Sequence, residues 1–548
     1  MRTGSIHGDL SVLTVKSFIL WNRDNAWARI PPMLPDLFDE EQPGRLARRL
    51  TGIYTRTLLW YFLAMLLLWV LGFESIYGHP TPFYALYSPA FDTLFVPGFA
   101  GGLMAIAWAV FTRRSWAVFA TIGVLMLLLA ALTRPNLEQL RALGWHLPAL
   151  ALFVAAFAVS RRGVGILDPS NLSARRFLAA VLGFSFLFCC AVAMLRHGFT
   201  GIAQAYQREA YEYVGDIGKA PSIPQLFTRY LAIMPYLSLH ARAAPPGPIA
   251  VLWLLSYIVG RSAMALSLAT IAVGVSGVVP LYYWARDLTS ERIARTCCLV
   301  YVLLPSIVLF TATCAEALFL PFTLGTLFCF DRAIRRNHPG YAVAAGVGFA
   351  CMSLLKFTLI GVGAYFAFTG IWLLCRRETR MNVLRTAAIM GASCLAVHLA
   401  LRWTTGFDVI ACFRTARIHF DMDQAKLDQV TPRLAAWVYR FLNPFCWFYF
   451  AGIPVSLLFL WRLLRPEPHT RALFIVFALT LFLLNLLYLG RGEGERSALY
   501  LFPFLALPAA HLLDELCARA RSAVPIAATL AFLAFQCWLT EAYFYTYW

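Results

Sequence analysis

Charge is scarce in this chain. Of its 548 residues only 14% are Asp, Glu, Lys or Arg, whereas 60% are hydrophobic and the mean hydropathy is +0.67. That balance excludes a soluble protein of two to four domains, which the length alone would allow. The alternating apolar/polar pattern of outer-membrane strands is missing too, so helices are the only spanning structure left. Metal-type cysteine spacing is also absent. Most of the 13 cysteines lie inside apolar runs, among them Cys189, Cys190, Cys297, Cys298, Cys351 and Cys394, and behave as small hydrophobes. Cys412 and Cys446 flank one polar loop and could bridge, but disulfide geometry is demanding and free thiols are the favoured reading. No cleavable signal peptide, internal repeat or low-complexity tract is apparent. The net charge of +18 has no contiguous basic face behind it. Basic residues come in short clusters between apolar runs, which is topology information rather than a nucleic-acid footprint.

What the chain has in abundance is apolar runs long enough to cross a bilayer. A polar leader (1–55) holds a weak amphipathic stretch from Leu10 to Trp21 that could lie along a membrane. Runs follow near 57–73, 93–112, 115–133, 146–160 and 177–195. After a long polar segment they resume near 262–285, 293–312, 316–331, 340–356, 358–375, 383–402, 445–464, 471–489, 498–516 and 522–540. The expected fold is therefore an all-α polytopic membrane protein of about 15 transmembrane helices. Pro248 to Gly260 is apolar but too short to cross, and reads as a juxtamembrane or re-entrant helix started by Pro245-Pro246. The domain boundaries expected are a leader (1–55), a four-span module (56–170), a membrane core (171–520) and a final span with the C-terminus (521–548). The core carries polar loops at 198–261 and 403–444.

Orientation follows from the basic clusters. Placing the N-terminus in the cytoplasm puts well over half of the 46 basic residues on the inner side, including Arg113/Arg114, Arg332/Arg335/Arg336 and Arg376/Arg377. Most of the rest fall in the two long loops, which count for little in this rule. The polar segments 196–261, 402–444 and 490–497 then share the extracytoplasmic face of an inner, or cell, membrane.

Those segments carry the chemistry. Glu209, Glu212 and Asp216 fall at i, i+3 and i+7, so a helix would line them on one face. Carboxylates crowded at a bilayer surface repel one another, and one with a raised pKa can serve as general base toward a hydroxyl. His240-Ala-Arg-Ala-Ala-Pro-Pro-Gly-Pro248 places His240 and Arg242 just before a helix N-terminus, where a phosphate is favoured. Lys356 sits between two apolar runs, and Glu316 opens another; ionisable groups at that depth are functional by default, with snorkelling as the plain alternative. Gly490-Arg-Gly-Glu-Gly-Glu-Arg496 exposes backbone N–H groups, and Arg491 and Arg496 could clamp phosphate oxygens, unless the turn is merely a charged hairpin. Asp421-Met-Asp423 in the second loop could touch a metal or sugar hydroxyls, although a mixed-charge surface is the simpler reading.

Taken in order, several short motifs resemble those of the GT-C superfamily of integral membrane glycosyltransferases. They are the acidic loop, the Pro-Pro-Gly helix start, Ala285-Arg-Asp-Leu288, Leu304-Pro-Ser306, Thr313-Cys-Ala-Glu-Ala-Leu318 and Leu354-Leu-Lys356. The likeness covers roughly 176–520 and is nearest to bacterial relatives of protein O-mannosyltransferases and of the lipid A aminoarabinose transferase. It implies inverting transfer of a sugar from a polyprenyl-phosphate donor to a glycan, lipid or protein hydroxyl on the extracytoplasmic face. It implies a catalytic acid in the first loop, with Asp216 the first choice, then Glu212 and Glu209. Glu316 matches a second acidic position, and Lys356 a lysine that contacts the donor phosphate. His240, Arg242 and, less directly, Arg496 and Arg491 are further phosphate-binding candidates. A divalent cation, Mg or Mn, is an optional cofactor, with no metal ligand assigned. One departure stands out: relatives show adjacent Asp-Glu soon after the first span, whereas the acids here are spaced. A transporter or flippase of lipid-linked saccharides, or a non-catalytic scaffold of the same fold, are the rival readings; a transporter calls for charges deep within several spans.

Overall fold

The computed structural model describes residues 137–161, 171–430, 437–487 and 494–543, with scattered positions between 45 and 128. The stretch Leu10–Trp21, most of the leader, most of the runs near 57–73, 93–112 and 115–133, and most of the four-span module lie outside the described residues, as does Arg491. Every regular element among the described residues is helical.

Among the described residues, seven helices are long and apolar enough to cross a membrane, and up to nine if each of two bent pairs counts as one span. The first is α1 (Ala174–His197), which stops at Gly198 with φ +59, a backbone conformation open to glycine. The short apolar helix expected before residue 260 is α2 (Gly247–Val259), 13 residues long. It is followed by α3 (Ala263–Ser276), which runs on into Val278–Leu288 as one apolar stretch. The expected crossing at 293–312 is not straight. Glu291–Tyr301 and α4 (Pro305–Thr313) meet at 55°, because Pro305 starts a new helix. Next come α5 (Leu320–Arg336), α6 (Pro339–Leu355) and α7 (Arg377–Thr405). The second polar loop is mostly one helix, α8 (Val409–Val430). The run near 445–464 is also broken: α9 (Tyr439–Phe450) and Ile453–Leu464 turn through 112° at Ala451-Gly452, with Gly452 at φ +87. The last two crossings are α10 (Phe502–Ala520) and α11 (Val524–Tyr543).

Small residues let these helices approach closely. Ala342, Ala345 and Ala350 of α6 are buried, and a Cβ on Gly346 would strike the Met390 carbonyl of α7. Deep in the bundle the carboxylate of Asp331 accepts from Trp284 Nε1 at 2.6 Å and from Tyr365 Oη at 2.7 Å. Two donors thus satisfy a buried carboxylate, and the surrounding rings of Phe477 and Phe504 fill the space around them. All 13 cysteines are free thiols, Cys412 and Cys446 included.

Candidate active site

Three helix breaks at one end of the bundle create the site. In each, the chain leaves α geometry beside a charged residue. After α4, Cys314 is extended (φ −150°, ψ 153°) and a 3-10 turn, Ala315–Phe319, carries Glu316. After α6, Lys356 itself is extended (φ −159°, ψ 132°), so its side chain leaves the helix axis instead of continuing up it. The short helix Gly494–Ser497 presents Arg496, and its start packs so tightly on Trp447 that a Cβ on Gly494 would lie 2.5 Å from the indole nitrogen.

The first polar loop folds over this end. A single helix through 209, 212 and 216, which would line the three acids on one face, does not form. A 3-10 turn at Ala205–Gln207 is followed by irregular chain and a second 3-10 turn, Tyr213–Asp216. The reason lies in Gly215 and Gly218. A Cβ on Gly215 would strike the Glu209 carbonyl, and Gly218 sits at φ +90, so the chain doubles back where a helix would continue. The returning strand of loop pairs with it: Leu239 N donates to Ala210 O at 3.1 Å and His240 N to Tyr211 O at 3.2 Å. Tyr230 Oη, on helix Ile223–Ile233, reaches the carbonyls of Ala241 and Ala244 at 3.0 and 2.8 Å and holds the run before Pro245 in place. The Pro-Pro-Gly start of α2 then presses against the end of α6. A Cβ on Gly247 would collide with the Leu354 carbonyl, two residues before Lys356.

The three loop acids consequently have three different environments. Glu209 is exposed to solvent. Asp216 is fully buried but satisfied: its oxygens accept from Ser238 N at 3.0 and 3.2 Å, from Ser238 Oγ at 2.7 Å and from Lys219 Nζ at 2.7 Å. Glu212 is also fully buried, yet neither of its oxygens accepts a hydrogen bond. It lies in a cluster of charges. Lys356 Nζ is 2.9 Å from Glu316 Oε1. Arg496 stands between the two acids, with Nη1 3.9 Å from Glu212 Oε1 and Nε 4.0 Å from Glu316 Oε1. His240 joins through the ring of Tyr213, edge-on at 6.3 Å between centroids.

Electrostatics separate the members. Burial, with Glu316 nearby adding to it, pushes the Glu212 carboxyl up to about 8 despite Arg496 and Lys356. Burial followed by the Arg496 charge lowers His240 to about 3, so its imidazole is neutral. The arrangement therefore offers an unsatisfied carboxyl poised near neutrality beside two cations.

Of the candidates from sequence, the structure brings together Glu212, Glu316, Lys356, His240 and Arg496. Three others stand elsewhere. Glu209 faces water, and Asp216 is bound into the loop by Ser238 and Lys219. Arg242 spends its guanidinium on Asp423 of α8 in a two-point contact of 2.8 and 2.7 Å. Asp423 is thereby a partner for Arg242, and Asp421 pairs with Arg417 at 2.8 Å. Together with the edge contact of Phe413 on Phe357 at 5.1 Å, the Arg242–Asp423 pair lays α8 across the loop and the residue after Lys356. Sequence reading gave no role to Ser238 or Tyr213; adjacency of Tyr213 to Glu212 was the available signal for the second.

The donor set is a poor match for a divalent cation. Glu316 already faces Lys356, and Arg496 occupies the space between the two carboxylates. Among the described residues, the group of ligand-type atoms that does converge is Glu467, His511 and Glu515. It is elsewhere in the fold and is filled by Arg462, whose nitrogens lie 2.7, 2.6 and 2.9 Å from the three side chains.

One consequence concerns Asp216. An Asn there keeps an oxygen to accept from Ser238 and loses only the attraction to Lys219, which is 40% exposed. Asp216→Asn is expected to lower the melting temperature while leaving transfer within about tenfold of wild type, since a partly exposed pair is worth roughly 1 kcal/mol. A loss of several orders of magnitude in a sugar-transfer assay would return the role of base to Asp216.

Residues 243–403, less than a third of the chain, match the family described as dolichyl-phosphate-mannose-protein mannosyltransferase. The match supports a membrane glycosyltransferase of the mannosyltransferase type, with the GT-C architecture. It contains Glu316, Lys356 and the helix start at Gly247, and it leaves out Glu212, Tyr213, His240 and Arg496. No curated protein matches the chain.

Proposed function

We propose that the protein transfers a sugar from a polyprenyl-phosphate donor to a hydroxyl acceptor, inverting the anomeric centre, on the extracytoplasmic side of the membrane. The observation that carries this reading is the convergence of a buried carboxyl that accepts no hydrogen bond, Glu212, with two cations, Lys356 and Arg496, where three helices break. The side of the membrane rests on the distribution of basic residues along the chain.

In this mechanism Lys356 and Arg496 hold the donor phosphate. As the bond from the anomeric carbon to the phosphate oxygen breaks, its electron pair and charge pass to the phosphate, and the two cations stabilise that charge. The acceptor oxygen attacks the opposite face of the anomeric carbon, and its proton goes to Glu212. Glu316 pre-positions both cations before substrate arrives, since it lies 2.9 Å from one and 4.0 Å from the other. His240, kept neutral, adds no charge to a site that must accept an anion. No step calls for a metal ion, because Arg496 already lies between the carboxylates where such an ion would bind.

The test is transfer by the full chain in proteoliposomes, from synthetic polyprenyl-phosphate sugars to candidate acceptors, with the product anomer read by NMR. Retention of configuration would rule out single displacement. The pH profile adds a second check. A base must be deprotonated, so kcat/KM is expected to rise with pH and level off above about 8. Bound phosphate adds negative charge beside Glu212, so the midpoint in kcat should lie higher still. A flat profile from pH 6 to 9 would remove Glu212 from the proton transfer.

A further inference from the structure

Of the seven described helices apolar enough to cross, α7 is the least covered by the rest of the protein: only 17% of its most apolar stretch is buried. Its exposed residues are not scattered. At 3.6 residues per turn Arg377, Met381, Leu384, Arg385, Leu395 and Trp403 fall within an arc of about 100°, and all of them are exposed. The stripe is basic at one end, apolar along its length and closed at the other end by Trp403, 83% exposed. Arg385 and Trp403 stand about 27 Å apart along the axis at 1.5 Å per residue, close to the roughly 30 Å of a bilayer's hydrocarbon core. Tryptophan settles at a membrane interface, so Arg377 and Arg385 reach the headgroups of the opposite leaflet.

A second helix brings charge beside them. The Asn382 amide of α7 donates to the Ile334 carbonyl of α5 at 3.5 Å, and Arg335 and the exposed Arg336 follow directly. This is the end of the bundle away from the Lys356 cluster, since α5 starts just after the turn with Glu316 and α6 returns to Lys356. The other cations here are committed. Arg335 Nη1 donates to the Asp287 carbonyl at 2.9 Å and Arg380 Nε to the Leu374 carbonyl at 3.2 Å, while the Arg376 guanidinium lies 5.0 Å from the Trp372 ring centre. The Asp287 carboxylate is taken by Arg332 at 2.7 Å. Between Leu374 and Arg385 the one carboxylate is Glu378, which is exposed. Arg336, Arg377 and Arg385 form no ion pair among the described residues.

Topology asks only that basic residues gather on one side of the membrane. It does not ask for three guanidinium groups without a carboxylate partner at headgroup depth, beside a single exposed apolar stripe. Positive charge with apolar surface leading away from it complements one kind of ligand, a negative headgroup that carries acyl chains. We propose that Arg377 and Arg385 of α7, with Arg336 of α5, bind the phosphate of an anionic phospholipid whose chains lie along Met381, Leu384 and Leu395. The site is on the membrane face opposite the Lys356 cluster and does not depend on the transfer reaction.

The test releases the full chain from nanodiscs of equal parts phosphatidylglycerol and phosphatidylcholine into a native mass spectrometer and counts the lipids of each kind that stay bound. Wild type is expected to keep phosphatidylglycerol in preference to phosphatidylcholine. Arg377→Gln/Arg385→Gln should cut that preference about tenfold or more, since each basic residue near a charged membrane surface is worth roughly a factor of five. Arg377→Lys/Arg385→Lys keeps the charge and should retain most of the preference. Arg175→Gln/Arg176→Gln removes two exposed arginines from the start of α1, at the same membrane face, and should behave as wild type. An unchanged preference in Arg377→Gln/Arg385→Gln overturns the inference. So does an equal loss in the α1 variant, which would mean diffuse attraction by the whole face, and so does a wild type without preference. A dimer of the chain that Arg377→Gln/Arg385→Gln dissolves would give the stripe to a second copy and defeat the lipid site. None of these readouts involves sugar transfer, so the two proposals stand or fall separately.

Discussion

Glu212→Gln is expected to cut sugar transfer by roughly 10²–10⁴-fold, the range that a positioned general base contributes, while the protein becomes more stable to heat. The two effects have one cause. Glu212 is completely buried and accepts no hydrogen bond, with Arg496 3.9 Å away, so its charged form is disfavoured and burial pushes its carboxyl up from about 4.5 to about 8. Between those values the folded protein binds a proton that the unfolded chain has released. Stability therefore falls as pH rises across that window, and no further change from this group follows above it. A Gln does not titrate. The melting-temperature gain of Glu212→Gln over wild type should grow from about pH 5 to pH 8 and then level off. A misfolded variant would show loss of activity with a lower melting temperature at every pH, so the combined measurement separates the explanations. Full activity in Glu212→Gln would leave the proposed mechanism without its base.

Lys356→Met is the second large effect, and here activity and stability fall together. The substitution leaves Glu316 buried with Arg496 4.0 Å away as its remaining cation. Removing one partner of a buried ion pair costs about 3–5 kcal/mol, because the other charge stays desolvated. It also removes a group proposed to hold the departing phosphate, with an expected loss of roughly 10²–10³-fold in kcat. The double variant Lys356→Met/Glu316→Gln decides between a structural and a catalytic lysine. With the orphaned charge gone, the melting temperature should return most of the way to wild type, yet transfer should stay low. Recovery of transfer along with stability would mean that Lys356 serves only to neutralise Glu316.

Part of this site was legible from the chain alone. Lys356 and Glu316 stood out because ionisable residues are expensive at the ends of apolar runs, and the structure places them 2.9 Å apart. The Pro-Pro-Gly start was legible as a helix N-terminus, and α2 begins at Gly247. The loop acids are where the chain alone says least: the resemblance puts Asp216 first, then Glu212 and Glu209, whereas the structure gives the three different environments. Helical spacing would line them on one face, and it breaks at Gly215, whose missing side chain lets the chain fold onto the Glu209 carbonyl. Asp216 then meets Ser238 and Lys219, and Glu212 is left without a hydrogen-bond donor. Arg242 depends on distant chain in the same way: a basic residue before a helix start attracts phosphate, and here a helix almost two hundred positions further on brings an aspartate to it.

By itself the sequence determined that this is a helical membrane protein, and that its polar chemistry is gathered in a few segments between apolar runs. Those properties are local, because lipid and water act on each stretch according to its own composition. Only the tertiary structure decided which carboxylate is satisfied and which is left poised. That outcome depends on partners such as Ser238, Lys356 and Arg496, which come from separate parts of the chain and meet only once the helices have packed. Desolvation and charge pairing are set by the finished surroundings of a group, and no spacing along the chain encodes them.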